Sequence, residues 1–187
     1  RGVVVTNTRD VLTDEVAGRG LQASACIYPV ALADRVGIST FRIATDALPY
    51  SGLRKRAYDI PTRIQKIKVG VSRLDEIFDD ETGRLDYIKI DAEGAEWSIL
   101  KGARATLERF RPILSFEFGE ASYRNYGVVP QKVHRYLAGL GYRVFDIYGR
   151  ELDRESFSAS AVRQEVWDYV AIASERDPIR LLAPLRR

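Results

Sequence analysis

Hydrophobic residues along the chain follow two alternating spacings, one typical of strands and the other of helices. Apolar or alternating runs predict strands at residues 2 to 5, 21 to 32, 38 to 44, 64 to 70, 87 to 91, 112 to 119, 142 to 148 and 166 to 174. Helical spacing predicts helices over residues 8 to 17, after Ser72, before Pro112 and from Pro130. This alternation predicts an α/β fold in which helices pack against a sheet.

Three of the predicted helices have a recognisable start or a recognisable buried face. Ser72 and Asp75 have the spacing of a capping box, which predicts that they start the helix that follows. In the helix before Pro112, apolar residues recur at spacings of three and four and predict one buried stripe: Leu100, Ala103, Leu107 and Phe110. In the helix from Pro130, similar spacing predicts three inward-facing residues: Val133, Leu137 and Leu140.

The composition is that of a globular domain. The chain has 187 residues, of which 45% are hydrophobic and 29% are charged. We predict one domain over residues 1 to 174, followed by a basic polar tail at 175 to 187. No apolar run is long enough to span a membrane, so no membrane partner is expected. The single cysteine, Cys26, excludes an internal disulfide and favours a reducing, cytoplasmic compartment.

The net charge gives no indication of nucleic-acid binding. It is +3, and the basic residues are spread out except at residues 52 to 68 and at the end of the chain. Such clusters are usually solvated loop charge, so a nucleic-acid partner is not expected.

Acidic residues stand at the carboxyl ends of two predicted strands. Asp91 and Glu93 follow one strand, and Glu117 ends the strand at 112 to 119. Ligands of open α/β sheets bind outside these strand ends, so the three carboxylates are predicted to meet in one crevice if the strands are neighbours. There they could hold a cationic or hydroxyl-bearing ligand, or take a proton from a hydroxyl group.

The same acidic residues also have a structural interpretation. Glu93 and Glu96 near the start of a helix would interact favourably with its dipole, and Asp91 could cap it. Lys89, in a central strand, needs a partner for its charge, and Asp91 or Glu117 would supply one. The residues alone leave both interpretations open.

Two other features bear on candidate chemistry. His134, the only histidine, is predicted in a surface or half-buried position in a helix, so neither a histidine triad nor a histidine-centred metal cluster is expected. The loop at residues 119 to 130 follows the Glu117 strand and carries aromatic and amide groups. It is a candidate wall for an acceptor, with a simple solvent-exposed loop as the alternative.

The stretch YIKIDAEGAEWSILKGARATLERFRPILSFEFGE resembles the signature of the FkbM-type methyltransferases. The shared features are a lysine-isoleucine-aspartate run, a glutamate-glycine pair followed by a glutamate, a leucine-glycine-alanine helix and a proline-led strand ending in glutamate. The match is dense over residues 86 to 118. Weaker similarity upstream extends it to residues 20 to 120.

The resemblance implies a Rossmann-like class I methyltransferase fold, with a mostly parallel sheet, helices on both faces and an antiparallel last strand. It implies S-adenosylmethionine as the cofactor and a small-molecule or glycan acceptor, methylated on a hydroxyl of a sugar or secondary metabolite. By position, Asp91 would lie near the transferred methyl group, while Glu93 and Glu117 would face the acceptor. Residues after the family's third strand would lie near the adenine: Ala31, Leu32 and Asp34. No metal ligand is assigned.

The chain departs from the family pattern upstream. In this class a glycine-rich cofactor loop follows the first strand, and the second strand ends in an acid. Here the only GxG, at residues 18 to 20, comes after a predicted helix and before a predicted strand, and where the family's second strand would end the chain has Thr6 and Asn7 instead of an acid. The chain therefore resembles the family from its second strand onward. We expect a portion of a longer protein, whose open strand edge is completed by an upstream segment or in a homo-oligomer.

Two other function classes remain as alternatives. A noncatalytic α/β module would keep the fold and bind a partner through the open edge and the basic loop. A metal-dependent hydrolase would use Asp91, Glu93 and Glu117 to hold a magnesium ion.

Overall fold

The computed structural model describes residues 2–6, 28–47, 51–54, 61–78, 83–119 and 126–178. The strands in these residues are β1 (Gly2–Thr6), β2 (Ala31–Leu32), β3 (Gly37–Ala44), β4 (Ile64–Ser72), β5 (Tyr87–Asp91), β6 (Ile113–Glu117), β7 (Tyr142–Asp146), β8 (Glu151–Leu152) and β9 (Asp168–Ala173). The helices are α1 (Leu74–Ile77), α2 (Glu96–Gly102), α3 (Arg104–Phe110), α4 (Pro130–Gly139) and α5 (Arg154–Arg163). None of these helices is long and apolar enough to cross a membrane.

The main sheet has the strand order β1-β5-β6-β9-β7-β8. Strands β1, β5 and β6 are parallel neighbours, whereas β9 is antiparallel to both β6 and β7. Strand β7 therefore runs in the same direction as β6, and β8 pairs antiparallel with β7. The predicted α/β class is confirmed, with a mostly parallel main sheet and an antiparallel last strand.

Alternation of side chains along the strands places the larger of two buried clusters on one face of this sheet, whereas Phe145, Val170 and Ile172 form a smaller, separate cluster. Ile88 and Ile90 of β5, and Leu114 and Phe116 of β6, belong to one buried cluster. All five described helices contribute buried residues to the same cluster, among them Leu74, Leu100, Leu107, Val133 and Phe157. Thus the strand periodicity determines which residues of β5 and β6 are left for the other face, including Lys89.

Strand β1 lies directly beside the strand that carries Asp91. It pairs with β5 along its whole length, from Gly2 opposite Tyr87 to Thr6 opposite Asp91. Val3 and Val5 pack against the same core as β5. Among the described residues β1 is the last strand of this sheet, so its other edge has no strand partner there, and the completion of this edge by an upstream segment stays a prediction.

A second sheet has the order β2-β4-β3. Strands β3 and β4 form an antiparallel pair from Gly37 opposite Val71 to Ala44 opposite Ile64, and β2 runs parallel to β4. Both strands of the pair were predicted. Of the strand predicted over residues 21 to 32, the structure describes residues 28 to 32, and within these Ala31 and Leu32 pair with β4. Residues 21 to 27, which include Cys26, and the helix predicted over 8 to 17 lie outside the described residues.

The predicted capping box at Ser72 is wrong. Arg73 occupies the N-cap position of α1, and no side chain caps this helix. The Asp75 carboxylate instead accepts hydrogen bonds from the backbone N–H groups of Ala105 (3.2 Å) and Thr106 (2.8 Å), and from the Thr106 hydroxyl (2.7 Å). Asp75 thus satisfies the free N–H groups at the start of α3, which has no cap of its own.

The single helix predicted before Pro112 is two helices, α2 and α3, that meet at Ala103. The break lies where Gly102 packs against the backbone after β2: a Cβ atom on Gly102 would overlap the Ala33 carbonyl oxygen and lie 2.9 Å from its carbon. The predicted stripe is confirmed at Leu100, Ala103 and Leu107, whereas Phe110 is half-buried.

Gly102→Ala should therefore destabilise the fold, because the added methyl group forces β2 away from α2. We expect the free energy of unfolding to fall by about 1–3 kcal/mol, the usual cost of overpacking. Gly139→Ala is the matched control, since Gly139 also ends a helix but a Cβ atom there would meet nothing within 4 Å. It should stabilise by up to about 1 kcal/mol through helix propensity. Urea denaturation measures both, and equal effects would exclude the close contact as the cause.

Helix α4 has its predicted inward-facing residues, and a helix that the sequence analysis did not predict packs beside it. Val133, Leu137 and Leu140 are buried, as predicted, and His134 is half-buried with Nε2 3.0 Å from the Leu152 carbonyl oxygen. The unpredicted helix, α5, is capped by Asp153, whose carboxylate accepts the N–H of Ser156 at 2.8 Å.

Candidate functional site

The carboxyl ends of β5 and β6 bring three acidic side chains together. These strands are parallel neighbours, with Ile90 opposite Phe116, so Asp91 and Glu117 end at the same edge of the sheet. One carboxylate oxygen from each of Asp91, Glu93 and Glu117 lies within 4.8 Å of the others. The predicted convergence of these three residues is confirmed, and we call them the acidic cluster.

Glu93 reaches the cluster from a tight turn between β5 and α2. The Ala95 N–H donates to the Ala92 carbonyl oxygen at 3.3 Å, which closes the turn. The two central residues have positive φ angles, 53° for Glu93 and 104° for Gly94, the pattern of a type I′ turn. Glycine tolerates this backbone region, whereas a residue with a Cβ atom there costs about 1–2 kcal/mol. The chain therefore keeps a strained glutamate where its carboxylate joins the cluster.

Glu96 lies beneath this turn and is fully buried, with 0% of the residue exposed. Its Oε1 atom accepts hydrogen bonds from the backbone N–H groups of Ala92 (3.1 Å) and Gly94 (2.9 Å). The position of Glu96 in the sequence predicts only a charge near a helix dipole and gives no indication of this contact. The interpretation of Asp91 as a helix cap is wrong, because Ala95 occupies the N-cap position and no side chain caps α2.

Lys89 has the partner that its place in a central strand required. Its Nζ atom lies 3.0 Å from Oδ2 of Asp91, and this hydrogen bond is the main reason why the pKa of Lys89 is raised. Further down the same face, the hydroxyl groups of Tyr87 and Ser115 are 2.7 Å apart. The ion pair fixes one oxygen of Asp91.

The pKa of Glu117 is raised from its ordinary value of 4.5 to about 8. Burial is the largest cause, followed by the negative charges of Glu93 and Asp91, a hydrogen bond with Asp91 and the charge of Glu96. Glu117 therefore holds a proton at pH 7. The acidic cluster carries more negative charge than its surroundings compensate, so it favours a ligand that brings positive charge.

The three residues predicted near the adenine lie on another part of the fold. Ala31 and Leu32 form β2, and the Asp34 carboxylate accepts a hydrogen bond from the Ser98 hydroxyl at 2.6 Å and pairs with Lys101. Ser98 and Lys101 belong to α2, the helix that begins directly after the acidic turn. Asp34 thus connects to the acidic cluster through α2, and its predicted role at the cofactor stays a prediction.

Trp97, the second residue of α2, lies in an aromatic and cationic environment that the sequence pattern did not predict. The Trp97 ring meets Tyr136 edge-on at 5.2 Å between centroids. The ammonium groups of Lys101 and Lys132 lie over the Trp97 ring, 5.7 and 5.3 Å from its centroid.

Two features of the surface lie apart from the acidic cluster. A cavity of about 580 Å³ is lined by α4 and α5, and another of about 410 Å³ by α4, β7 and residues 151 to 156; none of the three acids lines either.

Residues 120 to 125 of the candidate acceptor wall lie outside the described residues. Tyr126, at its described end, has the Arg54 guanidinium 5.0 Å from its ring centroid.

The acidic cluster offers two kinds of binding. Its three carboxylates could ligate a hard divalent cation such as Mg²⁺ through oxygen. They could equally balance the charge of a cationic organic ligand and orient a hydroxyl group beside it.

Comparisons with known proteins identify relatives of this chain. A search of the curated proteins gives no match. Among solved structures, the chain is similar to methyltransferase FkbM from Methylobacillus flagellatus KT, with 17% sequence identity and a TM-score of 0.45. The alignment covers 91% of this chain but 35% of that protein, so this chain spans about a third of its relative's length. The family described as Methyltransferase FkbM domain matches residues 7–144, well over half of the sequence. The chain therefore belongs to the FkbM methyltransferase family.

Proposed function

We propose that this protein transfers a methyl group from S-adenosylmethionine to a hydroxyl group of a sugar or secondary-metabolite acceptor. Family membership supports methyl transfer in general. The observation that carries the proposal is the meeting of Asp91, Glu93 and Glu117 at the carboxyl ends of two parallel strands, the edge where open α/β sheets bind ligands.

The charge of the acidic cluster suits this cofactor. S-adenosylmethionine, when bound, supplies an electrophilic methyl group on a positively charged sulfur. Burial is the largest cause of the raised pKa of Glu117, and the negative charges of Glu93 and Asp91 add to it; a nearby positive charge would offset these charges. We place the methionine end of the cofactor beside Asp91 and its adenine near Ala31, Leu32 and Asp34.

In this proposal each acid has a separate task. Asp91, with one oxygen held by Lys89, accepts the proton of the acceptor hydroxyl through its other oxygen. Glu93 and Glu117 face the acceptor and orient that hydroxyl by hydrogen bonds. Such a reaction requires alignment of the acceptor oxygen with the methyl group and a group that takes the proton, and little else.

Calorimetric titration with S-adenosylmethionine and S-adenosylhomocysteine tests the cofactor. We expect both ligands to bind. S-adenosylmethionine carries a positive charge that S-adenosylhomocysteine lacks, so its binding, unlike that of S-adenosylhomocysteine, should lower the pKa of Glu117 and release a proton near pH 7.5. Repeating the titration in buffers of different ionisation enthalpy counts the released protons. In the Glu117→Gln variant this proton release should be absent, so the two ligands should release equal numbers of protons.

Three outcomes separate the proposal from its alternatives. Binding of both ligands, followed by transfer of labelled methyl groups to hydroxylated acceptors in the presence of EDTA, would support it. Hydrolytic activity that requires Mg²⁺ would favour the metal-dependent hydrolase. Failure of the protein to bind either ligand would contradict the proposal and favour a noncatalytic module.

A further inference from the structure

Glu96 is a buried acid that the proposed reaction does not use directly. Glutamate is rarely fully buried unless its charge finds partners, yet Glu96 is completely inaccessible to solvent. Its position at the first residue of α2, next to Ala95 in the turn, puts it against the backbone that leads to the acidic cluster.

Two hydrogen-bond partners of Glu96 are the backbone N–H groups of the residues on either side of Glu93. A single oxygen, Oε1, accepts the N–H groups of Ala92 and Gly94 at 3.1 and 2.9 Å. Hydrogen bonds to an ionised acceptor are stronger than those between neutral groups. These contacts fix the orientation of two peptide units of the turn, Asp91–Ala92 and Glu93–Gly94.

The turn needs such support because its backbone is strained. Glu93 has a φ angle of 53°, which glycine adopts readily and glutamate does not. Strained residues of this kind persist only when surrounding contacts hold them. Glu96 supplies these contacts from a rigid base, since the following residues Ile99 and Leu100 of α2 are buried in the core.

We propose that Glu96 is a positioning residue, whose buried carboxylate clamps the Ala92 and Gly94 amides and thereby holds Asp91 and Glu93 in the acidic cluster. The link to catalysis rests on the proposed methyl transfer, whereas the clamp itself does not. Glu96 acts through the backbone and does not touch the acceptor. The position of the Glu93 carboxylate in the acidic cluster then depends on Glu96, an acid that does not contact the substrate.

Two variants of Glu96 separate the clamp from general stability. Glu96→Ala removes the acceptor, so amide hydrogen exchange at Ala92 and Gly94 should accelerate by at least about 10-fold relative to the core amides of β5. Glu96→Gln keeps an oxygen at the same place but removes its charge, and it should restore much of that protection. Exchange is measured by NMR on the protein without ligands.

Kinetics test the consequence for the reaction. A small displacement of an aligned group can reduce a rate by about 10²-fold. We therefore expect Glu96→Ala to lower kcat by about 10- to 100-fold and to change the KM for S-adenosylmethionine less, with Glu96→Gln between this variant and the unmodified protein.

Glu155→Ala is the matched control. Glu155 stands in the first turn of α5 and is exposed, so this variant removes an acid that can act on a helix dipole without clamping a turn. It should leave exchange at Ala92 and Gly94 and kcat unchanged.

The exchange measurement keeps this inference distinct from the proposed function. Unchanged exchange at both amides in Glu96→Ala would overturn the clamp even if methyl transfer is observed. Faster exchange would support the clamp even if the protein transfers no methyl group. If Glu96→Ala does not fold, Glu96→Gln decides, because loss of the charge should weaken both hydrogen bonds without abolishing them. Exchange at these two amides that is faster than in the unmodified protein then supports the clamp, and exchange equal to that of the unmodified protein overturns it.

Discussion

Asp91→Asn should reduce the rate of methyl transfer by roughly 10²–10⁴-fold, the usual contribution of a general base. Asparagine has nearly the same shape, and the pairing of β5 with β1 and β6 uses the backbone, so the sheet should survive the change. The variant loses the oxygen that accepts the hydroxyl proton. It also leaves the Lys89 ammonium, 3.0 Å from Oδ2 in the unmodified protein, without its counter-charge. The rate is measured with labelled S-adenosylmethionine at saturating acceptor.

Glu151→Gln is the control for this experiment. Glu151 is an exposed acid of β8, at the far edge of the main sheet, and pairs with Arg143. Converting it to an amide should leave the rate within about 2-fold, because an exposed ion pair contributes little. A rate for Asp91→Asn equal to that of the control would exclude Asp91 as the proton acceptor.

Glu117→Gln should change how stability depends on pH. Because the pKa of Glu117 is about 8 in the folded protein against 4.5 ordinarily, the folded protein keeps a proton that the unfolded chain releases between these values. This contribution to stability is complete below pH 4.5 and lost as the pH rises through 8. Glutamine does not titrate, so the variant lacks this pH dependence of the free energy of unfolding. At pH 9 the variant should be more stable by about 2 kcal/mol, after allowance for partial exposure to solvent.

Urea denaturation at several pH values measures this effect. The free energy of unfolding of the unmodified protein should decrease more steeply from pH 5 to 8 than that of Glu117→Gln. In the control Glu151→Gln, the Arg143 guanidinium holds the pKa of the replaced acid below its ordinary value, so its contribution is lost only as the pH falls into the acid range. The control should keep the slope between pH 5 and 8. Parallel curves for all three proteins would contradict a raised pKa at Glu117.

The location of the acidic cluster was predictable because it depends on local rules. Periodicity identified β5 and β6, and parallel neighbours necessarily end at the same edge, which brings Asp91 and Glu117 together. The need of Lys89 for a partner followed from the cost of burying a charge in a strand, whereas the sequence left Asp91 and Glu117 both open; the partner in the structure is Asp91. These inferences require only residues that are close in sequence and the assumption that β5 and β6 are neighbours.

Contacts between distant residues were beyond the sequence pattern. Ser72 and Asp75 match a capping box, but Asp75 bonds to Thr106 because α1 packs beside α3. The break between α2 and α3 depends on the approach of Ala33 to Gly102, far apart in sequence. Helix α5 was missed because its serine-rich sequence has little apolar periodicity, although Phe157 and Ala161 are buried in the core.

Glu96 shows how a local motif can conceal a specific role. A glutamate at the start of a helix has a sufficient explanation in the helix dipole, so the pattern gave no reason to seek another. Only the positive φ angle of Glu93 and the direction of the Ala92 and Gly94 amides show why an acid stands there. The glycine of the motif was the available signal, since it marks a turn with unusual backbone angles.

The two tryptophans of this chain provide an intrinsic fluorescent label in the unmodified protein and in the variants proposed above. Trp97 directly follows Glu96 and lies between Tyr136 and the two lysine ammonium groups. Trp167 is 54% exposed, and its carbonyl oxygen accepts the N–H of Phe118, the residue after Glu117, at 3.0 Å. Trp97 is half-buried and Trp167 is exposed, so the two indoles have different surroundings, one beside the turn that carries Glu93 and one beside the strand that carries Glu117. A soluble quencher reaches the exposed indole more readily than the half-buried one, so quenching can distinguish the two positions without any dye.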